Sequence, residues 1–493
     1  MKMNSKRPYG DIPYGTRGPV SEHGSSHYPT YVHMDNNKGS LHGEHTLDDA
    51  KKIKREHLYS GSSLGKESVR DDEEHLLLRD GDVLGGRFTV HSLMGTGTFG
   101  KVYQCEDAKH NDTVAVKVIR KIERYIHSAK TEASILKRLY KAQEDRSWKP
   151  IVTMYTHVYH DGHYCMVFEP LGKSLLDYIQ LNEYRGFPKY MVKQIAYQLL
   201  HALDFLHRHQ LVHTDLKLEN ILFVEGPEME LPVAGKGGVG VGGSTGSGRS
   251  KTGIKSAGPV SGSSSPQRGL RLPKLPHIKL IDFGGAVFDG MHHSRIINTR
   301  QYRSPEVILE LGWSCPSDVW SAGCIVAEIL SGDLLFSTHD DLEHLYMIER
   351  VVESFPDHMR SRSPVGRDYF HGGGWDVSKR RSSRGERGGA GGGWRGQSRG
   401  PMPLRTELLS AKSKKYSNDL PTLRQFSNFV ASSSSPEASL SDPSRDDVCD
   451  PDMEEVLFDL LRVDPAERRH PDQVAAHRWF AEVLDSPVHS FDE

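Results

Sequence analysis

The sequence predicts an α+β protein of two lobes, a small β-rich N-terminal lobe and a larger, mainly α-helical C-terminal lobe, with a disordered N-terminal tail and low-complexity inserts. Three observations predict it. Between 87 and 120, apolar and polar residues alternate in successive short runs, the period of half-buried strands. Beyond Pro170, the apolar residues recur at the i, i+3, i+4 spacing of amphipathic helices. The 493 residues also include 48 glycines and 26 prolines at a mean hydropathy of −0.55, too polar for one continuous core.

In chain order, residues 1–79 are rich in Gly, Ser, Tyr, His and charge without periodicity, and are expected to be disordered. The basic run Lys51-Lys52-Ile53-Lys54-Arg55 within them has the composition of a nuclear-import signal. A folded domain is expected over 80–484, with the N-lobe at about 87–169 and the C-lobe at about 170–484. Phe88-Thr89-Val90, Val102-Tyr103-Gln104 and Val114-Ala115-Val116-Lys117-Val118 are its first strands. Ala129, Ala133, Leu136 and Leu139 then mark a helix over 128–140, and 151–169 returns to strand-like runs. Helices follow at 190–207 and 319–330, with closing helices at 452–461 and 471–480. Two low-complexity inserts, at about 226–276 and 360–450, bury too little apolar area to offset their ordering entropy. Both are expected as surface excursions whose ends meet.

The formal net charge of −2 conceals a segregation. Residues 360–424 carry 15 Lys/Arg against 5 Asp/Glu, a local +10, so the remainder sums to −12. An acidic body of this kind attracts basic partners, with Asp177, Glu183, Asp340, Asp341 and Glu343 as candidate contacts. The Arg/Gly/Ser-rich insert also suits single-stranded RNA, although its aromatics are sparse. The five cysteines form no C-x-x-C pair, which argues against a disulfide framework and points to a reducing compartment. The 27 histidines include pairs such as His292/His293 without a third ligand at workable spacing, so no histidine metal site is expected. No run approaches the roughly 18 apolar residues of a membrane span. A soluble, intracellular protein with no membrane partner is expected.

The chemistry-bearing motifs come in a definite order. Gly95-Thr96-Gly97-Thr98-Phe99-Gly100, followed by Val102, places glycines where a strand–turn–strand brings backbone N–H groups against phosphate oxygens. A dinucleotide fingerprint would need a helix next, whereas 101–105 is strand-like. Lys117, at the end of an apolar strand, is placed to reach phosphates from the floor of a cleft, and Glu132 on the following helix to hold it as an ion pair; Glu123 is the weaker candidate. His213-Thr214-Asp215-Leu216-Lys217-Leu218-Glu219-Asn220 supplies a carboxylate (Asp215) to orient a hydroxyl and accept its proton, an ammonium (Lys217) near a transferring phosphate and an amide (Asn220) for a metal. Asp282-Phe283-Gly284 follows a second strand, with Asp282 as a ligand for Mg²⁺, a hard, oxygen-seeking ion. Glu306 in Ser304-Pro305-Glu306 and Arg468 in Pro465-Ala466-Glu467-Arg468 are expected as a buried structural pair, and Asp318 as a support beneath the 213–220 loop.

Together these motifs resemble the eukaryotic protein kinases over roughly 87–480, minus the inserts. Thr299-Arg300-Gln301-Tyr302-Arg303-Ser304-Pro305-Glu306 is similar to the CMGC group signature. Glu343-His344-Leu345-Tyr346-Met347-Ile348-Glu349-Arg350 resembles the stretch that names the LAMMER, or CDC-like, kinases, as do 71–76, 81–84 and 307–313. The resemblance implies a bilobal kinase fold using ATP and Mg²⁺. It also implies dual-specificity phosphorylation of arginine/serine-rich splicing factors, a nuclear location and a monomer. By motif, Phe168 would be the gatekeeper, Glu169 and Leu171 would present hinge backbone groups to adenine, and Ala115 and Leu222 would sandwich the ring. Leu218 for the family's proline, Gly285 for its serine, and Tyr346 and Ile348 in the name motif are departures, none of which removes a catalytic group. Thr214 stands where many kinases carry an arginine that binds an activation-segment phosphate. A degenerate scaffold and a proline-directed CMGC enzyme are the competing readings.

Overall fold

The computed structural model describes residues 75–143, 148–231, 269–291, 294–372, 402–426 and 450–484. Most of the expected tail, the 51–55 run, His292/His293 and the centres of both inserts lie outside the described residues.

The N-lobe is a six-stranded antiparallel sheet of order β1-β2-β3-β4-β6-β5. Its strands are β1 (Val83–Leu84), β2 (Phe88–Gly97), β3 (Gly100–Asp107), β4 (Asp112–Ile119), β5 (Met154–His160) and β6 (His163–Phe168). The alternation of Val90, Tyr103, Cys105, Val114, Val116, Val118, Cys165 and Val167 turns one face of the sheet into a buried cluster. Helix α1 (Glu123–Ala142) packs on the sheet through Ala129, Glu132, Ala133, Ile135, Leu136 and Leu139. It begins earlier than its apolar spacing alone predicts.

The C-lobe opens with β7 (Leu171–Ser174), α2 (Leu175–Leu181) and α3 (Lys189–Arg208). Short strands β8 (Leu211–Val212), β9 (Ile221–Val224), β10 (Glu228–Leu231), β11 (Leu270–Pro273), β12 (Ile278–Leu280) and β13 (Val287–Phe288) follow. Of these, β12, β9 and β7 form one sheet, and β13 pairs with β8. The remaining helices are α4 (Pro305–Ile308), α5 (Pro316–Ser331), α6 (Asp341–Val351), α7 (Asp357–Arg362), α8 (Gly366–Tyr369), α9 (Ala411–Asn418), α10 (Pro451–Leu460), α11 (Pro471–Ala475) and α12 (Ala481–Leu484). Helix α5 is apolar nearly all round and buried from Ser317 to Leu330, which makes it the axis of this lobe. Among the described residues no helix is long and apolar enough to cross a membrane.

The insert expectations need correction at their edges. β10 and β11 lie within 226–276 yet pair in register from Glu228↔Pro273 to Leu231↔Leu270. The 360–450 expectation fails over 360–372 and 402–426, where Arg360, Ser363, Phe370, Leu404, Leu423 and Phe426 are all buried and Phe370 bridges Leu404. Composition averaged over a long window dilutes these few anchors among glycines and arginines. A handful of well-spaced apolar side chains still pins a chain to its domain.

Candidate active site

The glycine-rich turn joins β2 to β3 with Gly95 opposite Val102 and Gly97 opposite Gly100, so that Thr98-Phe99 forms the tip. A Cβ on Gly100 would stand 2.0 Å from the Val118 carbonyl oxygen, so only glycine lets the hairpin close onto β4. At Gly95 a Cβ would meet nothing within 4 Å, and at Gly97 only the Gly100 carbonyl at 4.0 Å. Open space above glycine backbone is what a phosphate chain needs for close approach. The exposed Phe99 ring rests edge-on against Tyr125 at 5.3 Å.

Lys117, on β4 opposite Val102, extends its Nζ to Glu132 at 3.2 and 3.0 Å and to Asp282 Oδ1 at 3.2 Å. Burial alone would lower the Lys117 pKa; the two carboxylates outweigh it and hold the ammonium well above its ordinary range. The same contest runs in reverse at Asp282, where burial opposes the charge and Lys117 keeps the carboxyl below its usual range. Glu123, the alternative partner, opens α1 and is exposed.

Asp282 sits in the left-handed region (φ 62°), which swings its carboxylate toward Lys117 while Phe283 is fully buried against the His213 ring at 4.9 Å. His213 bonds the Ile281 carbonyl through Nε2 at 3.0 Å. Beneath the loop, the fully buried Asp318 accepts the backbone N–H groups of His213 and Thr214 at 2.7 and 3.0 Å. Lys217 Nζ donates to Asp215 Oδ2 at 2.8 Å. Burial opposes the Lys217 charge, but Asp215 raises its pKa. Asn220 spends its amide N–H on the Asp215 carbonyl at 2.8 Å, leaving its side-chain oxygen as a ligand atom. Leu218, the departure from proline, is buried in a 3-10 turn with Glu219 and Asn220. The oxygens of Asp282 and Asn220 form the donor set that a hard divalent cation prefers.

At the lobe junction, Phe168 ends β6 opposite Ala115, and Leu171 pairs with Val224. Leu222 lies on β9 between Ser174 and Lys279. Glu169 donates its N–H to the Thr153 carbonyl at 3.0 Å, while its carboxylate accepts from Thr153 N–H and Lys279 Nζ, each at 2.6 Å. Glu306 and Arg468 form the expected pair through two bonds of 2.8 and 3.0 Å, with side chains 2% and 0% exposed.

The roles of two residues escaped the sequence reading. Thr299 donates its hydroxyl to Asp215 Oδ1 at 2.8 Å and lies 3.4 Å from Lys217 Nζ, inside the reacting cluster. Lys279 braces the hinge, and its signal was a lone cation within the apolar run 278–281. Of the acidic candidates, Asp177, Glu183 and Asp340 are exposed, Asp177 and Asp340 also cap helices, Asp341 pairs with Arg300 and Arg303, and Glu343 accepts from Thr338 at 2.8 Å.

The protein kinase domain family matches residues 88–234 and 270–480. The human dual specificity protein kinase CLK4 is 40% identical over 306 residues, covering 62% of this chain and 57% of that protein. The serine/threonine-protein kinase AFC3 of Arabidopsis thaliana is 40% identical over 309 residues, 62% of this chain and 70% of that one. The match thus spans little more than half of the human relative. A crystal structure of a kinase domain superposes with a TM-score of 0.62 at 30% identity, covering 83% of this chain and 100% of that chain.

Proposed function

The chain belongs to the protein kinase family, and from that premise we propose that it transfers the γ-phosphoryl group of ATP to serine and threonine hydroxyls of proteins. The observation that carries the reading is the meeting of Lys117, Glu132 and Asp282 with the Asp215–Lys217–Thr299 cluster around one cleft. The open backbone at Gly95 and Gly97 receives the phosphates, with Lys117 placed on their α/β oxygens and Glu132 fixing that ammonium. Adenine would lie between Ala115 and Leu222, with Phe168 behind it and the Glu169 and Leu171 backbone along its edge. Asp282 and Asn220 would hold Mg²⁺, which neutralises phosphate charge when bound. Asp215 accepts the proton of the attacking hydroxyl, and Lys217 stabilises charge that develops on the transferring group.

The substrate class proposed is arginine-flanked serine, as in arginine/serine-rich splicing factors phosphorylated in the nucleus by a monomeric enzyme. The −12 balance outside 360–424 and the exposed Glu183 support it. An electrostatic preference of this kind weakens as added salt shortens the Debye length from about 10 Å at 0.1 M.

The test combines variants and substrates. Lys117→Met, Asp215→Asn and Asp282→Asn should each fold and lose nearly all transfer. A folded Asp282→Asn protein keeping more than about a tenth of wild-type activity, a loss under ~1.4 kcal/mol, removes the metal role. With matched peptides, Arg-Ser should outcompete neutral Ser-Pro, and the margin should shrink at high salt. A salt-independent preference for proline would select the proline-directed reading.

A further inference from the structure

Helix α1 carries a cationic stripe on the side opposite its packed face. Lys130, Ser134, Lys137 and Lys141 follow one another at four, three and four residues, so they share one exposed helix face. Ser134, Lys137, Arg138 and Lys141 line an open groove of about 540 Å³ together with His209. Among the described residues no carboxylate pairs with Lys130, Lys137, Lys141 or Lys149.

Beside the stripe lies a row of solvent-facing rings. β5 is the outermost strand of its sheet, and its alternation turns Tyr155, His157 and Tyr159 outward, with Tyr155 57% and Tyr159 55% exposed. His157 and Tyr159 lean on Tyr164 at 5.0 and 5.4 Å, which fixes those two rings. Lysines and rings interleave: Lys130 Nζ stands 5.8 Å over Tyr159, and Lys149 Nζ 4.9 Å over Tyr140, itself 37% exposed. A lone exposed ring is ordinary, whereas exposed rings grouped beside a run of lysines make a patch that points to a partner.

We propose that this flank of the N-lobe binds single-stranded nucleic acid, with the lysines following the phosphates and Tyr155, Tyr159 and Tyr140 stacking bases. Unpaired bases offer flat faces to exposed rings, and their backbone supplies the regularly spaced charge that the stripe requires. A phosphorylated or acidic peptide would use the cations and leave the rings idle. A duplex would hide the base faces from them.

The test uses the full chain and a fluorescent 12-nucleotide oligouridylate, read by anisotropy at 0.1 M salt. Tyr155→Ala/Tyr159→Ala should weaken binding at least tenfold. Lys137→Ser/Lys141→Ser should flatten the log Kd against log salt slope by about 1.4, at about 0.7 per phosphate contact on a single strand. Ultraviolet crosslinking should reach the 154–160 peptide, and neither pair of changes should alter phosphorylation of a short peptide. Absence of binding, an affinity indifferent to both pairs, or crosslinks confined to 360–435 would overturn the proposal. Displacement by polyglutamate as effective as by unlabelled RNA, with the tyrosine pair silent, would overturn it in favour of an acidic protein partner.

Discussion

The Thr214 hydroxyl donates to the Gly285 carbonyl at 2.9 Å, tying the 213–220 loop to the start of the segment that runs to Glu306. Thr214 is buried in the left-handed region (φ 71°), and its own carbonyl accepts the Asn298 N–H at 2.9 Å. Asn298 exchanges side-chain bonds with Ser317 and Ser321, each at 3.2 Å, and Arg303 donates to the Ile297 and Asn298 carbonyls at 3.0 and 3.1 Å. The segment is therefore anchored without a phosphate, where other kinases place an arginine to receive one. Bacterially made protein should be active and keep most of that activity after phosphatase treatment. Thr214→Val, which removes one bond worth about 1 kcal/mol, should lower turnover about fivefold. A Cβ on Gly285 would press on the same hydroxyl at 2.9 Å, so Gly285→Ala and Thr214→Val should be non-additive. Activity that vanished on dephosphorylation and returned with an upstream kinase would remove this account.

The Thr299 hydroxyl is spent on Asp215 at 2.8 Å. Thr299→Ala should therefore reduce turnover roughly 10- to 100-fold through misorientation of the carboxylate, less than the roughly 100- to 10,000-fold that a positioned acid–base group itself supplies. The KM for ATP should hardly move, and Thr299→Ser should restore most of the rate. Equal losses in the alanine and serine variants would mean that the methyl group, and not the hydroxyl, does the positioning.

How far the sequence foretold the site depended on whether chemistry or packing set a residue's place. Lys117, Glu132, Asp215, Lys217, Asn220 and Asp282 were legible because their spacing admits few other uses, and the structure brings them to one cleft. Asp318 and the Glu306–Arg468 pair followed from the same motifs. Thr299 and Lys279 were not legible in their roles, since the bonds Thr299–Asp215 and Lys279–Glu169 join positions 84 and 110 residues apart and depend on the closed fold. Within the arginine/serine run at 360–364 the two serines differ: Ser363 is fully buried and donates to the Leu309 carbonyl at 2.8 Å, whereas Ser361 is exposed on α7. Phosphosite mapping of autophosphorylated protein should accordingly find no phosphate on Ser363.

Arg468 and Glu306 form an almost fully enclosed ion pair between distant elements, and Arg468 also donates to the Pro316 carbonyl at 2.6 Å and lies 5.2 Å over the Trp320 ring. Arg468→Ala leaves the Glu306 carboxylate buried without its partner, so chemical denaturation should show a loss of about 3–5 kcal/mol. Glu306→Gln/Arg468→Met should recover part of it by removing both charges. A single-variant loss below about 1 kcal/mol would mean that water reaches the pair.

His344 on α6 yields a pH prediction whose sign is fixed by its surroundings. The ring is fully buried against Phe336 at 5.2 Å, and neither nitrogen has a hydrogen-bond partner among the described residues. Burial, reinforced by Arg303 and Arg300, pushes its pKa down to about 3 from the ordinary 6.5. The unfolded chain therefore takes up a proton near pH 6.5 that the folded chain refuses until about pH 3. Stability from this group is fully present above 6.5 and is lost as the pH falls, by about 1.4 kcal/mol per unit. Between about pH 8 and pH 5, wild type should lose about 2 kcal/mol more than His344→Leu, whatever constant cost the leucine imposes by imperfect packing. Denaturant unfolding at four or five pH values measures the difference. Parallel pH profiles for the two proteins would mean that His344 takes up its proton in the folded state, and that the site opens to water or to a carboxylate such as Asp341.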